Sequence, residues 1–411
     1  MFFFKHTGLL RISLFHWIID DKYHTTESQN KPAFMCSKLP LTLYIHIPWC
    51  IQKCPYCDFN SHKLNQSVDE NHYIDNLIKD LKNDSALCSQ KQLSAIFIGG
   101  GTPSLLSARA YERLFNTIQQ LFSLEDKCEI TLEANPGTVD QQRFKEYRAI
   151  GINRLSLGIQ SFNDAHLKRL GRIHDGNQAH KAIHVAREAG FDNLNLDIMH
   201  GLPNQSIEQG LEDLRTAIES APEHLSWYQL TIEPNTVFYS KPPKLPNDDN
   251  LWELETAGFE LLKTANYTRY EISAFSKSGK QCQHNKNYWL FGDYLGIGAG
   301  AHAKITTDDG ILRLQKTRQP KDYLNPKKPF ICQQRLLNQE ETLFEFMLNV
   351  SRLEQPIPFD LFSKRTSLSQ ESLLKSLQEA IDKKLLTTTE QSFQVTPLGR
   401  QFTNELQALF L

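Results

Sequence analysis

Nowhere in the 411 residues does an uninterrupted apolar run approach the roughly 20 residues that span a bilayer, so no membrane helix is expected. The most apolar stretch, MFFFKHTGLLRISLFHWII at 1–19, is broken by Lys5, His6, Arg11 and His16, and no small-residue cleavage pattern follows it. A surplus of one charge sign is missing too. Lys and Arg number 45 against 47 Asp and Glu, a net charge of −2, which leaves no broad basic field to attract nucleic acid. There is no internal repeat or low-complexity tract, which excludes solenoids and sticky linkers. Evenly scattered cysteine pairs are absent as well. Three of the eight cysteines fall within eight residues (Cys50, Cys54, Cys57), while Cys36, Cys88, Cys128, Cys282 and Cys332 stand singly. That excludes a disulfide scaffold and points to a metal site in a reducing compartment, with the cytoplasm as the expected location.

What is present is ordinary in bulk: 40% hydrophobic and 22% charged residues, enough for one large domain and a smaller one. Residues 20–38 are polar and irregular, and Met35 stands just before the first strong strand. Residues 1–38 are therefore read as an extension, either a mis-assigned upstream start or an organelle-targeting presequence. Residues 1–34 are expected to contribute nothing to ligand binding.

From 41 to about 230, β-rich runs alternate with helical periodicity. The runs are LTLYIHI (41–47), AIFIGG (95–100), EITLEAN (129–135), NRLSLGIQ (153–160), NLNLDIM (193–199) and HLSWYQLTI (224–232). The first helix is expected to open on a capping box of Ser67 and Glu70, with Ile74, Leu77, Ile78 and Leu81 as its apolar stripe. Six β-α units in series imply an α/β fold, a partial (β/α)6 barrel, open rather than the closed eight-unit form. The unusual residues fall at strand C-terminal ends, where such folds build sites. The barrel is assigned to 39–239, a Pro-rich connecting and cofactor-covering region to 240–330, and a C-terminal α+β, winged-helix-like domain to 331–411. The last suits packing or a partner better than DNA, lacking a basic recognition helix.

WCIQKCPYCDF carries C-x3-C-x2-C. C-x2-C alone serves zinc, thioredoxin-like chemistry and Fe–S clusters alike. Structural zinc needs four closed ligands, and no downstream pair matches. Three thiolates on a loop after the first strand can hold three irons of a [4Fe–4S] cube and leave the fourth open for a chelating cosubstrate.

With Tyr56 before its third cysteine, this triplet resembles the signature of the radical S-adenosylmethionine superfamily. That resemblance implies that S-adenosylmethionine chelates the open iron and is cleaved reductively to a 5′-deoxyadenosyl radical. YIHIPWC, GGGTPS, LEANP, LGIQSF, LGRIH and DIMHGLP resemble, in order, the blocks of the oxygen-independent coproporphyrinogen III oxidase group. CDFNSH and HNKNYW resemble its heme chaperone branch. The resemblance places Tyr44 and Tyr56 near the cluster, and Gly100, Gly101 and Thr102 in a turn against the methionine amino group. It sets Glu133 against the cosubstrate. Gln160, Arg172 and Asp197 match positions that contact a second S-adenosylmethionine in the oxidase. His284, opening HNKNYW, is implied as a heme contact, with Tyr288 and Trp289 as apolar surface for a porphyrin face.

One position departs from the oxidase pattern, which continues C-x3-C-x2-C-x-C: Phe59 stands at the last cysteine. Phenylalanine can neither ligate iron nor supply a thiol, so the expectation moves to the chaperone branch, with oxidative decarboxylation of coproporphyrinogen III as the alternative. The resemblance further implies heme, heme-accepting respiratory proteins and an electron donor such as a flavodoxin or ferredoxin as partners, with a homodimer open and no nucleic acid. GIGAGAH (296–302) lacks the complete G-x-G-x-x-G context and is not read as a dinucleotide loop.

Overall fold

The computed structural model describes residues 39–64, 67–88, 91–138 and 140–411; the extension, with Met35 and Cys36, lies outside the described residues. Six strands, β1 Leu41–Ile47, β2 Leu93–Gly100, β3 Leu124–Ala134, β4 Arg154–Gln160, β5 Leu194–His200 and β6 His224–Gln229, pair in sequence order and all in parallel. Helices α1 Glu70–Ser85, α2 Ala108–Leu121, α3 Gln141–Ala149, α4 Gly176–Glu188 and α5 Ile207–Glu219 cross between them. The sheet then grows at both edges. Beyond β6 lie β7 Thr268–Glu271 and β8 Ala274–Ser276, an antiparallel hairpin. Beyond β1 come β9 Asp293–Ile297, β10 His302–Thr307, β11 Gly310–Lys316 and β12 Ile331–Leu336. β9 is parallel to β1, with Leu41 opposite Asp293, so a seventh parallel strand comes from the segment read as a connection. The twelve-stranded sheet runs β12-β11-β10-β9-β1-β2-β3-β4-β5-β6-β8-β7 and stays open.

Strand parity decides what faces inward. Successive strand residues point to opposite faces. On β1, Leu41, Leu43, Ile45 and Ile47 are buried in the main hydrophobic core, while Tyr44 faces the concave side. The same alternation sends Phe97, Glu133, Arg154, Ser156, Asn195, Asp197, His224 and Ser226 inward, and Ile96, Leu132, Leu155, Leu157, Leu196 and Leu225 into the core. The barrel interior is thus polar by construction.

The capping box of Ser67 and Glu70 does not form. Asp69 is the N-cap of α1 and accepts from His72 N at 3.0 Å, because the helix begins at Glu70 itself. Glu70 instead accepts from Ser107 N (2.9 Å) and Oγ (2.8 Å), tying α1 to the start of α2. The sixth strand ends at Gln229, short of 232.

A buried ionic cluster fastens β9. Asp293 is fully buried and pairs with Lys91 and Lys304, and it accepts from Thr306 N (3.1 Å) and Oγ1 (2.8 Å). Burial pushes its carboxyl up, but Lys304 and Lys91 overcome that and hold it at about 2. A carboxyl depressed on folding stabilises fully above its unfolded value of roughly 4 and loses that contribution as pH falls toward 2. Asp293→Asn leaves two buried lysines without their anion. It is expected to cost about 3–5 kcal/mol, read as a lowered urea midpoint at neutral pH, with the gap to the parent narrowing on acidification.

The C-terminal residues form a second core around Phe346, Phe362, Leu373, Leu377 and Phe393. Helices Gln339–Val350, Phe359–Thr366 and Gln370–Asp382 precede the hairpin Leu386–Thr388 and Ser392–Val395, whose second strand also pairs with Ile357–Pro358. Two short helices, Pro397–Gln401 and Thr403–Ala408, follow the hairpin. This unit meets the barrel edge through a bridge between Glu271 and Leu353 and the buried pair Arg352–Glu271.

Candidate functional site

The concave face of the sheet encloses a cavity of about 460 Å³, and all thirteen site residues singled out from the sequence lie on its wall. Cys50, Cys54 and Cys57 are half-buried on the loop after β1. Burial pushes the thiols of Cys50 and Cys57 up; hydrogen bonds from Thr102 and Ser61 respectively oppose this. Ser61 Oγ stands 3.5 Å from Cys57 Sγ, and Arg172 Nη1 donates to Cys54 Sγ at 3.7 Å. Among the described residues no three His, Cys, Asp or Glu side chains sit close enough to share one metal ion. A cube takes one thiolate per iron and so asks for spaced sulfurs. Three thiols on one cavity wall, with a guanidinium and hydroxyl donors against them, fit that demand.

The glycine turn after β2 is shaped by the protein's own backbone. Gly101 N donates to Ile47 O (2.6 Å) and Thr102 N to Trp49 O (2.7 Å), so this turn holds the root of the cysteine loop. A Cβ on Gly101 would lie 2.5 Å from Trp49 O, and one on Gly100, at φ +117°, 2.6 Å from the His46 ring. Gly100 N donates to Glu133 Oε2 at 3.1 Å, which fixes that carboxylate at the end of β3.

The exit of the cysteine loop is clamped from far away in sequence. Asn60 Nδ2 donates to Ala299 O (2.8 Å) and Arg318 O (2.9 Å), and Asn60 O is hydrogen-bonded with His46 Nε2 (3.0 Å). Tyr44 OH meets His46 Nδ1 at 2.9 Å. GIGAGAH therefore serves as the turn from β9 to β10 that receives Asn60. Outer contacts that orient ligands typically change metal affinity about 10–100-fold when removed. Asn60→Ala is accordingly expected to keep a cooperative thermal transition while losing iron to a chelator at least about tenfold more readily.

Farther in, Arg172 Nη2 donates to Gly158 O (2.7 Å), so this residue reaches the cysteine loop and β4 together. Gln160 has φ +71°, a strained value for a non-glycine residue, and accepts from Tyr228 OH at 2.7 Å. Asp197 accepts from Ser156 Oγ (3.1 Å) and Asn195 Nδ2 (2.9 Å); burial still pushes its carboxyl up. His224 bridges Asn195 Oδ1 (2.6 Å) and Tyr270 OH (2.8 Å) and is held neutral by burial and by Arg154.

His284 sits on α7 Gln283–Trp289, which follows α6 Asp248–Thr264 and the β7–β8 hairpin. Its ring packs 5.1 Å from Phe97 and 6.2 Å from Tyr44. Burial, then Arg154, lowers its pKa to about 3, so the imidazole is neutral at physiological pH, and Nδ1 has no partner. Trp289 shares the cavity wall; Tyr288 does not, its ring lying 5.0 Å from Tyr294. Sequence reasoning missed Phe97, Arg154, Asn195, His224 and Arg352. The signal for all but Arg352 was the polar or aromatic residue at every second strand position.

The open parallel barrel with three cysteines after its first strand defines a radical S-adenosylmethionine protein; the Radical SAM superfamily model matches residues 44–217, and the HemN C-terminal domain model matches 337–402. The chain is 50% identical to the heme chaperone HemW of Haemophilus influenzae over 377 residues, 90% of this chain and 98% of that protein, and 50% identical to that of Escherichia coli over 373 residues, with the same coverage. It belongs to the HemW family. Coproporphyrinogen III oxidase (HemN) from Escherichia coli shares its fold, with a TM-score of 0.77 at 23% identity over 91% of this chain and 90% of that one.

Proposed function

We propose that this chain is a heme chaperone that carries a [4Fe–4S] cluster on Cys50, Cys54 and Cys57, binds S-adenosylmethionine beside it and passes heme to respiratory acceptor proteins. The observation that carries the heme reading is His284. A neutral imidazole is the form that ligates heme iron, and this one faces a cavity whose size falls within the roughly 300–1,000 Å³ of ligand pockets. Phe97 and Trp289 supply apolar surface on either side of it in sequence. The half-identical relatives named heme chaperone support the same reading.

When bound, the cluster and its cosubstrate supply one-electron reductive chemistry. The chain's own residues do the holding. Arg172 offsets the negative charge of the Cys54 thiolate, and Ser61 and Thr102 donate to the other two sulfurs. Glu133 offers an acceptor to the amino group of S-adenosylmethionine, next to the Gly100–Thr102 turn. Tyr44 and Tyr56 wall the site, and Gln160 and Asp197 line its deeper part. An electron donor such as a flavodoxin or ferredoxin and a cytoplasmic location complete the reading. Among the described residues no helix is long and apolar enough to cross a membrane.

Phe59 on the cavity wall, 43% exposed, separates this reading from the oxidase alternative. Misplacing reacting atoms by about 1 Å can cost on the order of a hundredfold in rate, so an altered cluster loop can keep the cosubstrate and lose propionate chemistry. Anaerobic incubation of reconstituted protein with coproporphyrinogen III, S-adenosylmethionine and reductant is expected to give no protoporphyrinogen IX, beside saturable heme binding. Multiple-turnover product would overturn the chaperone reading.

A further inference from the structure

Arg352 is the one lining side chain of the cavity that comes from the C-terminal unit, and it is 5% exposed. Its Nη2 donates to Glu271 Oε2 at 2.9 Å, and its guanidinium lies 4.3 Å from the centre of the Trp289 ring. Two contacts on different elements fix its plane, yet its buried Nε has no hydrogen-bond partner. Three further buried donors on the same wall share that state, Trp289 Nε1, Arg172 Nε and Arg154 Nε, the last 3.9 Å from Glu129. A buried donor left unpaired costs free energy, and a guanidinium carries five N–H groups of which one pair partner uses few. The wall also bears carboxylates: Glu271 is committed to Arg352 and Ser273, and Asp197 to Ser156 and Asn195. Against these four donors the wall's unpartnered buried oxygens among the described residues amount to one, Gln229 Oε1, so acceptors are in deficit.

We propose that Arg352 is the carboxylate-recognition residue of the cavity and takes a propionate of the bound heme. The inference rests on the heme reading above and deepens it. Guanidinium–carboxylate pairs are favoured by their matching planar geometry. Because Arg352 arrives from the C-terminal unit while His284 sits on the barrel side, one ligand would be gripped by both parts of the chain.

The test compares heme with its dimethyl ester, which keeps the macrocycle and iron and removes both carboxylates. Spectroscopic titration of the full chain should show the free acid binding about 10-fold tighter or more. Arg352→Gln should weaken the free acid to the level of the ester and leave the ester unchanged. Arg352→Lys should restore part of the gap. Glu271→Gln, which takes the charge from the same contact but keeps the guanidinium, should preserve it. Equal affinity of the parent chain for acid and ester overturns the proposal without any variant, and so does an Arg352→Gln protein that weakens both ligands alike. If the parent chain binds neither ligand, the heme reading itself falls.

Discussion

Replacing any one of Cys50, Cys54 and Cys57 with alanine is expected to abolish the visible absorption and paramagnetic signal of the reconstituted cluster. A cube held by three thiolates has no spare protein ligand, since the next candidate position holds Phe59. Cys88, Cys128 and Cys282 are buried away from the loop, and burial pushes Cys128 and Cys282 up to about 12, where a thiol stays protonated and does not ligate. Alanine at these positions should therefore leave the cluster intact, and the same is expected of Cys332, which is exposed. Iron and sulfide analysis with anaerobic spectroscopy checks both halves. Normal iron and sulfide in the triple-alanine protein would remove the cluster from this loop.

The second large effect is expected at His284→Ala. Loss of an axial nitrogen should shift the heme absorption band and lower affinity by at least about tenfold, on the scale of a lost charge-assisted or ligand bond. The backbone of α7 should survive, because its N-cap uses no side chain of His284 and Asn287 fixes the helix through Asp293 O (2.9 Å). An unchanged spectrum and affinity would leave heme binding standing and reject only this ligand.

The barrel strands were legible because each is a short run in which apolar core residues alternate with polar or aromatic ones, as in LTLYIHI and NLNLDIM. The candidate cofactor and metal residues were legible as motifs, and they meet at one cavity, whereas Tyr288 from the same motif as His284 turns away to Tyr294. What the motifs hid was tertiary. HNKNYWLFGDYLGIGAGAH falls in the region read as a connection, yet Asp293, buried with two lysines, pins its middle as a strand beside β1. No local pattern announces that, since Lys91 is some two hundred residues away. Arg352 was invisible for the same reason: an arginine after a helix looks like any surface cation until Glu271 and Trp289 surround it. Ser67 and Glu70 match a capping box in spacing, but the helix starts at Glu70, which makes Asp69 the N-cap.

The pairing of Leu41 with Asp293 also sets an order of events in time. One edge of β1 has no neighbour until 252 further residues have been made, the difference between 293 and 41. At about 5–20 residues per second, a ribosome takes roughly 12–50 seconds to supply them. Through that interval an unpaired strand edge carrying Leu41, Leu43, Ile45 and Ile47 waits in the nascent chain, the kind of edge that recruits foreign strands. Ala299 and Arg318, the acceptors of Asn60, emerge later still. The cysteine loop is thus made early and latched late, its clamp complete only after translation has passed residue 318.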